Sequence, residues 1–291
     1  MSQPATGTSP HALLAQAAAR LDAAGVASPD ADARLLLAHV LDVPLGRLPL
    51  IERVSADRTE AYAALVARRV AREPLQHLTG TAGFRHVELR VGPGVFVPRP
   101  ETELLAGWAI EAARQVADRP PVVVDLCTGS GAIARAVADE VPAAQVHAAE
   151  LTEDAHAWAA RNLAGTGVEL VRADLATAFE ELVGTVDVVV CNPPYIPLEA
   201  WETVAPEVRD HDPHEALFSG PDGLDALRAL ERRAAVLLRP GGVVGAEHAD
   251  VQGSSAPAVF GRTGRWAEVH DHADLAGRPR YLTARLAGYA P

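Results

Sequence analysis

The stretch that decides the fold is Val186-Asp187-Val188-Val189-Val190-Cys191-Asn192-Pro193-Pro194-Tyr195. Its apolar first half predicts a buried strand of a parallel sheet, because such strands are covered on both faces. The two prolines cannot continue the strand, since neither has an N–H to donate to the ladder. The strand therefore ends at Cys191 and leaves Asn192 and Tyr195 at its carboxyl end, where open α/β sheets bind ligands.

The chemistry of this strand end suits a planar ligand. The Asn192 amide accepts through oxygen and donates through nitrogen, and Tyr195 adds an aromatic ring. A flat amide or amidine matches both groups. A proline-rich turn that only closes a core strand explains the tetrapeptide equally well, so the rest of the chain has to decide.

Length and cysteine content narrow the class of protein. A chain of 291 residues predicts about two domains. No apolar run reaches the ~18 residues of a membrane helix, and residues 1–10 lack the charged and apolar regions of a signal peptide. Two cysteines, Cys127 and Cys191, do not make a disulfide framework. We therefore predict a cytoplasmic protein with no membrane contact.

The charged residues exclude further chemistries. A net charge of −12 argues against direct binding of nucleic acid, which requires a basic face. All 26 basic residues are arginines, which excludes a P-loop lysine and lysine Schiff-base chemistry. The arginine-rich stretch 68–72 predicts a solvated helix face. The histidine-rich stretches 211–214 and 270–272 lack helical spacing and a third fixed ligand, so we predict no metal site.

Hydrophobic periodicity divides the chain into two parts joined by a connector. Apolar residues at helical spacing predict helices over His11–Ala24, Pro29–Leu41 and Ala56–Arg72. A hairpin follows around Phe84 to Val91, and a stiff proline-rich segment then opens a helix over Glu101–Val116. We place a helical N-terminal domain at residues 1–78, a β-hairpin connector at 79–100 and a catalytic domain at 101–291.

The catalytic part alternates strands and helices, which predicts an α/β fold with a parallel sheet and right-handed crossovers. The predicted strands are Val122–Leu126, Gln145–Glu150, Val168–Arg172, Val186–Cys191 and Val243–Glu247. The predicted helices are Ala132–Asp139, Glu153–Leu163 and Leu224–Leu238. Two further strands, Trp266–His270 and Arg280–Leu286, complete the tail.

A glycine-rich turn after the first strand of this part predicts a cofactor site. Its residues, Asp125, Leu126, Cys127, Thr128, Gly129, Ser130 and Gly131, allow a tight turn and a close approach of the backbone to a ligand. Glu150 lies 19 positions after Gly131, which is the placement of an acid that binds a ribose diol. Asp174 and Leu175 follow the third strand and are candidate adenine contacts, although a helix N-cap explains Asp174 nearly as well.

Together the motifs resemble the release-factor glutamine methyltransferases. The matching segments are Glu73–Gly80, Val95–Glu103, Asp125–Gly131, Asn192–Ile196, His214–Leu217, Gly220–Leu224 and Pro240–Gly242, in the family's order over about residues 10–287. The resemblance implies a Rossmann-like, seven-stranded S-adenosylmethionine-dependent methyltransferase domain preceded by a small helical substrate-docking domain and a β-hairpin connector. It also implies a monomer that methylates the glutamine of the Gly-Gly-Gln motif in class I peptide chain release factors.

The resemblance also implies the site residues. Asn192, Pro193, Pro194 and Tyr195 are the catalytic and substrate-binding residues, with Phe96 as a pocket wall or an interdomain hinge. S-adenosyl-L-methionine contacts the glycine-rich turn, Glu150, Asp174, Leu175 and Asn192. Cys127 departs from the glycine that this turn often has, but a small side chain still fits. The segment Leu198–Asp212 carries no recognisable constraint, and Glu247 is left out of the catalytic set.

Three other functions stay open at this stage. The nearest is a glutamine methyltransferase of a ribosomal protein, which shares the chemistry. The next is an adenine or cytosine N-methyltransferase of nucleic acid, against which the acidic composition counts. The last is a protein that binds the cofactor or a partner without turnover.

Overall fold

The computed structural model describes residues 7–288. Its α-helices are α1 Pro10–Ala23, α2 Pro29–Leu41, α3 Ala56–Val70, α4 Leu75–Thr79, α5 Thr102–Arg114, α6 Ala132–Glu140, α7 Glu153–Leu163, α8 Pro206–Arg209, α9 Asp225–Leu237 and α10 Ser255–Gly261. Short 3-10 turns occupy Leu45–Leu50, Glu180–Leu182, Leu198–Thr203, His214–Ala216 and Asp250–Gln252.

Nine strands form two sheets within the described part of the chain. They are β1 Thr81–Phe84, β2 Val87–Arg90, β3 Val122–Leu126, β4 Gln145–Glu150, β5 Glu169–Arg172, β6 Val186–Cys191, β7 Leu238–Glu247, β8 Trp266–Ala273 and β9 Pro279–Leu286. The first two make a hairpin, and the other seven form one sheet in the order β5-β4-β3-β6-β7-β9-β8.

The chain divides into two compact units. The first unit runs to Thr81 and includes Ala205–His211, and the second unit contains Ala82–Val204 and the chain from Asp212 onward. The short helix α8 therefore belongs to the first unit although it lies in the sequence range that we assigned to the catalytic domain. No sequence pattern predicts that α8 belongs to the first unit, because the helix spans a single turn.

The first unit is a helical bundle with its own core. Leu13, Ala17 and Leu21 recur at helical spacing on α1 and are buried, together with Leu36 and Leu37 of α2. Proline opens both helices, where its missing N–H costs nothing. Burial of this apolar stripe explains why the predicted helices α1 and α2 form at or within a residue of the expected bounds.

The arginine-rich stretch 68–72 is exposed at Arg68 but forms an ion-pair cluster at Arg69 and Arg72, so the prediction of a solvated helix face is wrong for the latter two. Arg69 is 7% exposed and its Nε lies 2.7 Å from Asp32 Oδ2. Glu207 of α8 accepts from Arg69 at 3.2 Å and from Arg72 at 2.6 Å. The partners lie 37 and 138 residues from Arg69, so no local pattern could have shown that these charges are paired.

The seven-stranded sheet is parallel from β5 to β7 and antiparallel at its far edge. β9 runs antiparallel to both β7 and β8, as the chain returns through the hairpin of the tail. The apolar residues of β3 and β6 face the two sides alternately. Val124 and Val189 join the core beneath α9, whereas Val123 and Val188 join the core beneath α5 and α6.

The predicted fold is confirmed, with differences at element ends. Strand β7 begins at Leu238 and includes Gly241, which has a φ of 80° and resembles a turn in sequence. Strand β8 extends to Ala273 through a register shift beside Glu268, whose φ is 51°. No helix within residues 7–288 is long and apolar enough to cross a membrane.

The sheet places the predicted ligand residues at one edge. β3 lies between β4 and β6, so the chain's crossovers change direction beside β3. In register, Leu126 pairs with both Ala149 and Cys191. The carboxyl ends of three neighbouring strands therefore lie side by side at a topological switch point, the usual ligand site of an open α/β sheet.

Candidate active site

The glycine-rich turn is held by Asp125, the penultimate residue of β3. The side chain is 1% exposed, and its Oδ2 accepts from the Thr128 hydroxyl at 2.6 Å and from the Ala134 N–H at 3.1 Å. Because the Thr128 N–H also donates to the Ala149 carbonyl at 2.9 Å, the turn is tied to both β3 and β4. Asp125 thus fixes the conformation of the glycine-rich turn through hydrogen bonds.

Burial raises the pKa of the Asp125 carboxyl to about 7, and the bonds from Thr128 and Ala134 oppose that shift only in part. Its second oxygen, Oδ1, is buried and has no hydrogen-bond partner within the described residues. A buried acceptor without a donor costs about 1–3 kcal/mol. The site therefore fits a ligand or water that donates a hydrogen bond at this position.

Replacing Asp125 by asparagine is expected to flatten the pH dependence of stability. The pKa of this carboxyl is higher in the folded chain than in the unfolded chain, so the folded state holds more protons between pH 4 and pH 7. Stability from this group then falls as pH rises, by about 2 kcal/mol between pH 5 and pH 7. Urea unfolding of the cofactor-free protein across this range measures the slope.

The matched control for Asp125→Asn is Asp187→Asn. Asp187 is also buried, but Arg119 and Arg239 bind it and its pKa is lowered. It is ionised in both states above pH 5, so its replacement lowers stability without changing the slope. A wild-type slope in the Asp125→Asn protein would show that Asp125 does not titrate in this range.

The backbone of the turn is left-handed at three positions. The φ values are 59° at Cys127, 57° at Gly129 and 83° at Gly131. A side chain in this region costs about 1–2 kcal/mol, so the preference for glycine at position 127 is set by backbone conformation as well as by side-chain size. A Cβ built at Gly129 would meet nothing within 4 Å, which leaves open space beside the turn for a ligand.

Glu150 joins the turn to the next loop. Its Oε2 accepts from the Gly129 N–H at 3.0 Å, and its Oε1 accepts from the Thr152 N–H at 2.9 Å and hydroxyl at 3.1 Å. A carboxylate has about four lone-pair positions, so one remains for a hydroxyl group. The structure therefore gives Glu150 a loop-holding role that is compatible with the predicted ribose contact.

The residues after β5 form a turn without a following helix. Asp174 Oδ1 accepts from the Ala176 N–H at 2.8 Å, and its backbone carbonyl accepts from Ala178. Leu175 packs against the core beneath α9. The helix N-cap weighed for Asp174 is not formed, and the local bond uses one carboxylate oxygen. Its predicted contact with the adenine stays a prediction.

The strand end Asn192–Tyr195 is connected to two side chains from distant elements. Asn192 Nδ2 donates to Thr102 Oγ1 at 3.3 Å, and the Tyr195 hydroxyl donates to Glu247 Oε1 at 3.1 Å. Thr102 in turn donates to Glu247 Oε2 at 2.7 Å. Glu247 is 1% exposed, and burial followed by the charge of Glu247 raises the pKa of Tyr195.

The sequence alone leaves Glu247 out of the catalytic set and does not single out Thr102. Glu247 ends a strand of the same sheet, as Glu150 does, so its position at the carboxyl edge was a usable signal. Thr102 opens α5 and lies 145 residues before Glu247. The two prolines, Pro193 and Pro194, carry no side-chain donor, and their part in the site is to fix the backbone that presents Asn192 and Tyr195.

The backbone beyond Tyr195 is fixed by hydrogen bonds to residues that follow α8 in the chain. The Ile196 N–H donates to the Leu217 carbonyl at 2.8 Å, and the Ile196 carbonyl accepts from Ser219 at 3.0 Å. The Tyr195 carbonyl accepts from Gln252 Nε2 at 3.1 Å. A Cβ at Gly223 would lie 2.2 Å from this carbonyl oxygen, so the close approach requires glycine.

Phe96 lies beneath an arginine of the connector. The Arg99 guanidinium is 4.9 Å from the Phe96 ring centroid, and its Nη2 donates to Asp212 Oδ2 at 2.7 Å. Burial raises the pKa of Asp212 to about 6, whereas Arg99 lowers it. The positive charges of Arg280 and Arg99 lower the pKa of Tyr195, against the larger effect of burial.

In each histidine-rich stretch, one histidine packs against an aromatic ring. His214 packs against Phe218 with tilted rings whose centroids are 4.4 Å apart, and His272 stacks on Tyr281 at 4.6 Å. Within the part of the chain that the structure describes, no group of three or more His, Cys, Asp or Glu side chains could hold a metal ion. Cys127 and Cys191 are free thiols, and burial raises the pKa of Cys191.

Comparison with known proteins finds a matching family model for each of the two parts of the chain. Residues 12–80 match the family model described as the PrmC N-terminal domain, and residues 123–211 match a methyltransferase domain. A release factor glutamine methyltransferase of Streptomyces coelicolor is 58% identical over 94% of this chain and 97% of its own. One from Mycolicibacterium smegmatis is 48% identical over 92% of this chain and 94% of its own.

One further curated protein and one solved structure are also similar to this chain. A 4-amino-L-phenylalanine/4-methylamino-L-phenylalanine methyltransferase of Streptomyces pristinaespiralis is 45% identical over 88% of each chain. The solved catalytic domain of hMettl16, in complex with MAT2A 3'UTR hairpin 6, has a TM-score of 0.55 at 13% identity, covering 78% of this chain and 82% of that one. At that identity the second likeness concerns the fold alone.

Proposed function

The chain belongs to the family of release factor glutamine methyltransferases, and we propose that it methylates the side-chain amide nitrogen of a release factor glutamine at the strand end Asn192–Tyr195. The enzyme is an S-adenosylmethionine-dependent protein-glutamine methyltransferase. The observation that carries the site assignment is the meeting of the glycine-rich turn, Glu150 and Asn192 at one edge of the sheet.

The cofactor supplies an electrophilic methyl group on a sulfonium. Asp125, Gly129 and Glu150 are the residues that would hold it, since the turn has open space beside Gly129 and an unpartnered buried oxygen at Asp125. The residues present therefore fit S-adenosylmethionine.

The strand end orients the nucleophile. An amide nitrogen is a weak nucleophile because its lone pair is delocalised into the carbonyl. Asn192 Oδ1 accepts one N–H of the substrate amide and the Pro193 carbonyl accepts the other, so the nitrogen is held in a fixed direction. Positioning of this kind contributes several kcal/mol. The same acceptors favour the positive charge that develops on nitrogen, and the Tyr195 ring face does so as well.

The substrate is the glutamine of a Gly-Gly-Gln motif in a class I release factor. Glycines beside the glutamine allow a backbone to approach the narrow strand end closely. The relative that acts on 4-amino-L-phenylalanine gives a second candidate, because its substrate name also describes a planar nitrogen next to a π system. Its 45% identity is lower than the 58% of the Streptomyces coelicolor relative.

The first unit is the docking domain for the protein substrate. It has a core of its own and matches a family model separate from the methyltransferase domain. Its surface carries Leu35, Leu45 and Leu50, and Leu50 is 76% exposed. Apolar side chains of this kind are available to a protein partner. The enzyme acts as a cytoplasmic monomer on this partner and binds no nucleic acid directly.

Transfer of a labelled methyl group tests the function. Purified protein is incubated with methyl-labelled S-adenosylmethionine and a class I release factor, and peptide mass spectrometry locates the label. We expect one methyl on the glutamine of Gly-Gly-Gln. A release factor with glutamate in place of that glutamine is the matched control, because it lacks only the amide nitrogen. Parallel incubations replace the release factor with 4-amino-L-phenylalanine or with ribosomal protein, and label there without label on the release factor would contradict the proposed substrate.

A further inference from the structure

The side chains of Asn192, Thr102, Glu247 and Tyr195 form one chain of hydrogen bonds. Asn192 Nδ2 lies 3.3 Å from Thr102 Oγ1, which lies 2.7 Å from Glu247 Oε2. The other carboxylate oxygen lies 3.1 Å from the Tyr195 hydroxyl. Thr102 and Glu247 are 4% and 1% exposed, so water does not compete freely for these bonds.

The direction of each bond follows from the number of protons available. An ionised carboxylate only accepts, so both hydroxyls must donate to Glu247. The Thr102 hydroxyl has one proton, and it is used on Glu247. Its lone pair can then only accept from Asn192, which must present Nδ2 to Thr102. The amide oxygen of Asn192 is thereby left for the substrate.

We propose that Thr102 and Glu247 are positioning residues that fix the orientation of the Asn192 amide, so that Asn192 meets the substrate nitrogen with its oxygen. The inference rests on the proposed function, in which that oxygen accepts an N–H of the glutamine amide. The opposite orientation would direct an N–H of Asn192 at an N–H of the substrate. Two donors facing each other cannot bind the amide.

The two hydroxyls that face Glu247 favour the ionised form that this arrangement requires, because each can donate to a carboxylate oxygen. Burial raises the pKa of Glu247 overall, and the hydrogen bonds from Thr102 and Tyr195 and the charge of Arg280 oppose that shift in part. Glu101 is the acidic neighbour that opposes ionisation. Two donated hydrogen bonds and a nearby guanidinium together favour a carboxylate that accepts on both oxygens.

Replacing Glu247 by glutamine reverses the direction of the bonds. The Tyr195 phenol is a stronger hydrogen-bond donor than the Thr102 hydroxyl, so the glutamine oxygen stays on Tyr195 and its NH₂ donates to Thr102. The Thr102 proton then goes to Asn192 Oδ1, and the Asn192 amide turns so that its NH₂ meets the substrate. Replacing Thr102 by valine only removes the anchor, which leaves Asn192 in both orientations. The glutamine variant should therefore be the more damaged of the two.

The test compares kcat, the KM for the release factor and the dissociation constant for the cofactor. We expect Thr102→Ser to stay within about 3-fold of wild-type kcat, Thr102→Val to lose about 10-fold and Glu247→Gln to lose about 100-fold. Cofactor affinity should change less than 3-fold in all three. The matched control is Glu231→Gln, a buried glutamate of α9 whose carboxylate binds Arg265 and Trp266, and this variant should keep wild-type kcat.

A second measurement does not depend on the substrate. The chain contains only two asparagines, Asn162 and Asn192, so selective ¹⁵N-asparagine labelling gives two side-chain amide signals, and Asn192→Ala identifies its own. We expect slow exchange of one Asn192 Nδ2 proton in the wild type and Thr102→Ser, fast exchange in Thr102→Val, and a shifted signal in Glu247→Gln.

Three results would overturn the inference. One is wild-type kcat in folded Glu247→Gln or Thr102→Val, and another is an Asn192 signal that is unchanged in both variants. A fall in kcat that is matched by an equal loss of cofactor affinity would also contradict it. If the release factor itself is not methylated by the wild type, the proposed substrate fails while the exchange measurement still decides the orientation of Asn192.

Discussion

Replacing Asn192 by alanine is expected to lower kcat for release factor methylation by about 10²–10³-fold with little change in cofactor affinity. The alanine removes the acceptor for the substrate N–H, which acts most strongly when positive charge develops on the nitrogen. Loss of one preorganised polar group at a reacting centre typically has an effect of this size. Initial rates at saturating release factor give kcat, and calorimetry gives the cofactor dissociation constant.

The second asparagine provides the matched control for this experiment. Asn162 Nδ2 donates to the Ser130 carbonyl of the glycine-rich turn at 2.8 Å and to the Arg90 carbonyl at 2.9 Å. Asn162→Ala should therefore loosen the turn and weaken cofactor binding, while kcat at saturating cofactor stays within a few fold. Near wild-type kcat in a folded Asn192→Ala protein would remove Asn192 from the mechanism.

The sequence predicts the elements around the cofactor site because their signals are local. Strands β3, β4 and β6 and helix α7 have the predicted bounds, since each is an apolar or amphipathic run bordered by glycine, proline or a capping residue. The helix α10 was missed because Gly253-Ser254-Ser255 and Pro257 resemble a loop. Seven residues are too few to show a helical period above that background.

Contacts between side chains that are distant in the sequence could not be predicted from it. The sequence predicts that Glu150 and Glu247 end strands at the same edge of the sheet. Only the folded chain shows that Glu150 binds two loops and Glu247 binds two hydroxyls. The same holds for Arg99 and Asp212, which are 113 residues apart. The sequence supplies residue types and strand ends, whereas burial and pairing depend on contacts between distant elements.

Replacing Gly223 by alanine is expected to damage both stability and turnover. Its φ is 74°, so any side chain there costs about 1–2 kcal/mol. In addition, the new Cβ would lie 2.2 Å from the Tyr195 carbonyl oxygen and 2.8 Å from Gln252 Nε2. Overpacking of this kind typically costs a further 1–3 kcal/mol, so we expect a total loss of about 3 kcal/mol in the free energy of unfolding.

The clash acts on the catalytic strand end because the Tyr195 carbonyl must move to relieve it. The Gln252 bond to that carbonyl would be lost, and the backbone that presents Asn192 and Tyr195 would shift. A displacement of about 1 Å at a reacting centre costs on the order of 10²-fold in rate. We therefore expect kcat to fall by at least about 10-fold, measured with the folded fraction determined by urea unfolding.

The variant Gly277→Ala separates the cost of a side chain in left-handed backbone from the cost of the clash with Tyr195. Its φ is 79°, similar to that of Gly223, but a Cβ there would meet nothing within 4 Å. Gly277→Ala should therefore show the backbone cost alone, about 1 kcal/mol, with kcat unchanged. Equal losses of stability in the two variants, together with wild-type kcat in folded Gly223→Ala, would mean that the close approach to Tyr195 does not shape the site. A selective loss of kcat at Gly223 would instead assign that glycine to the support of the strand end.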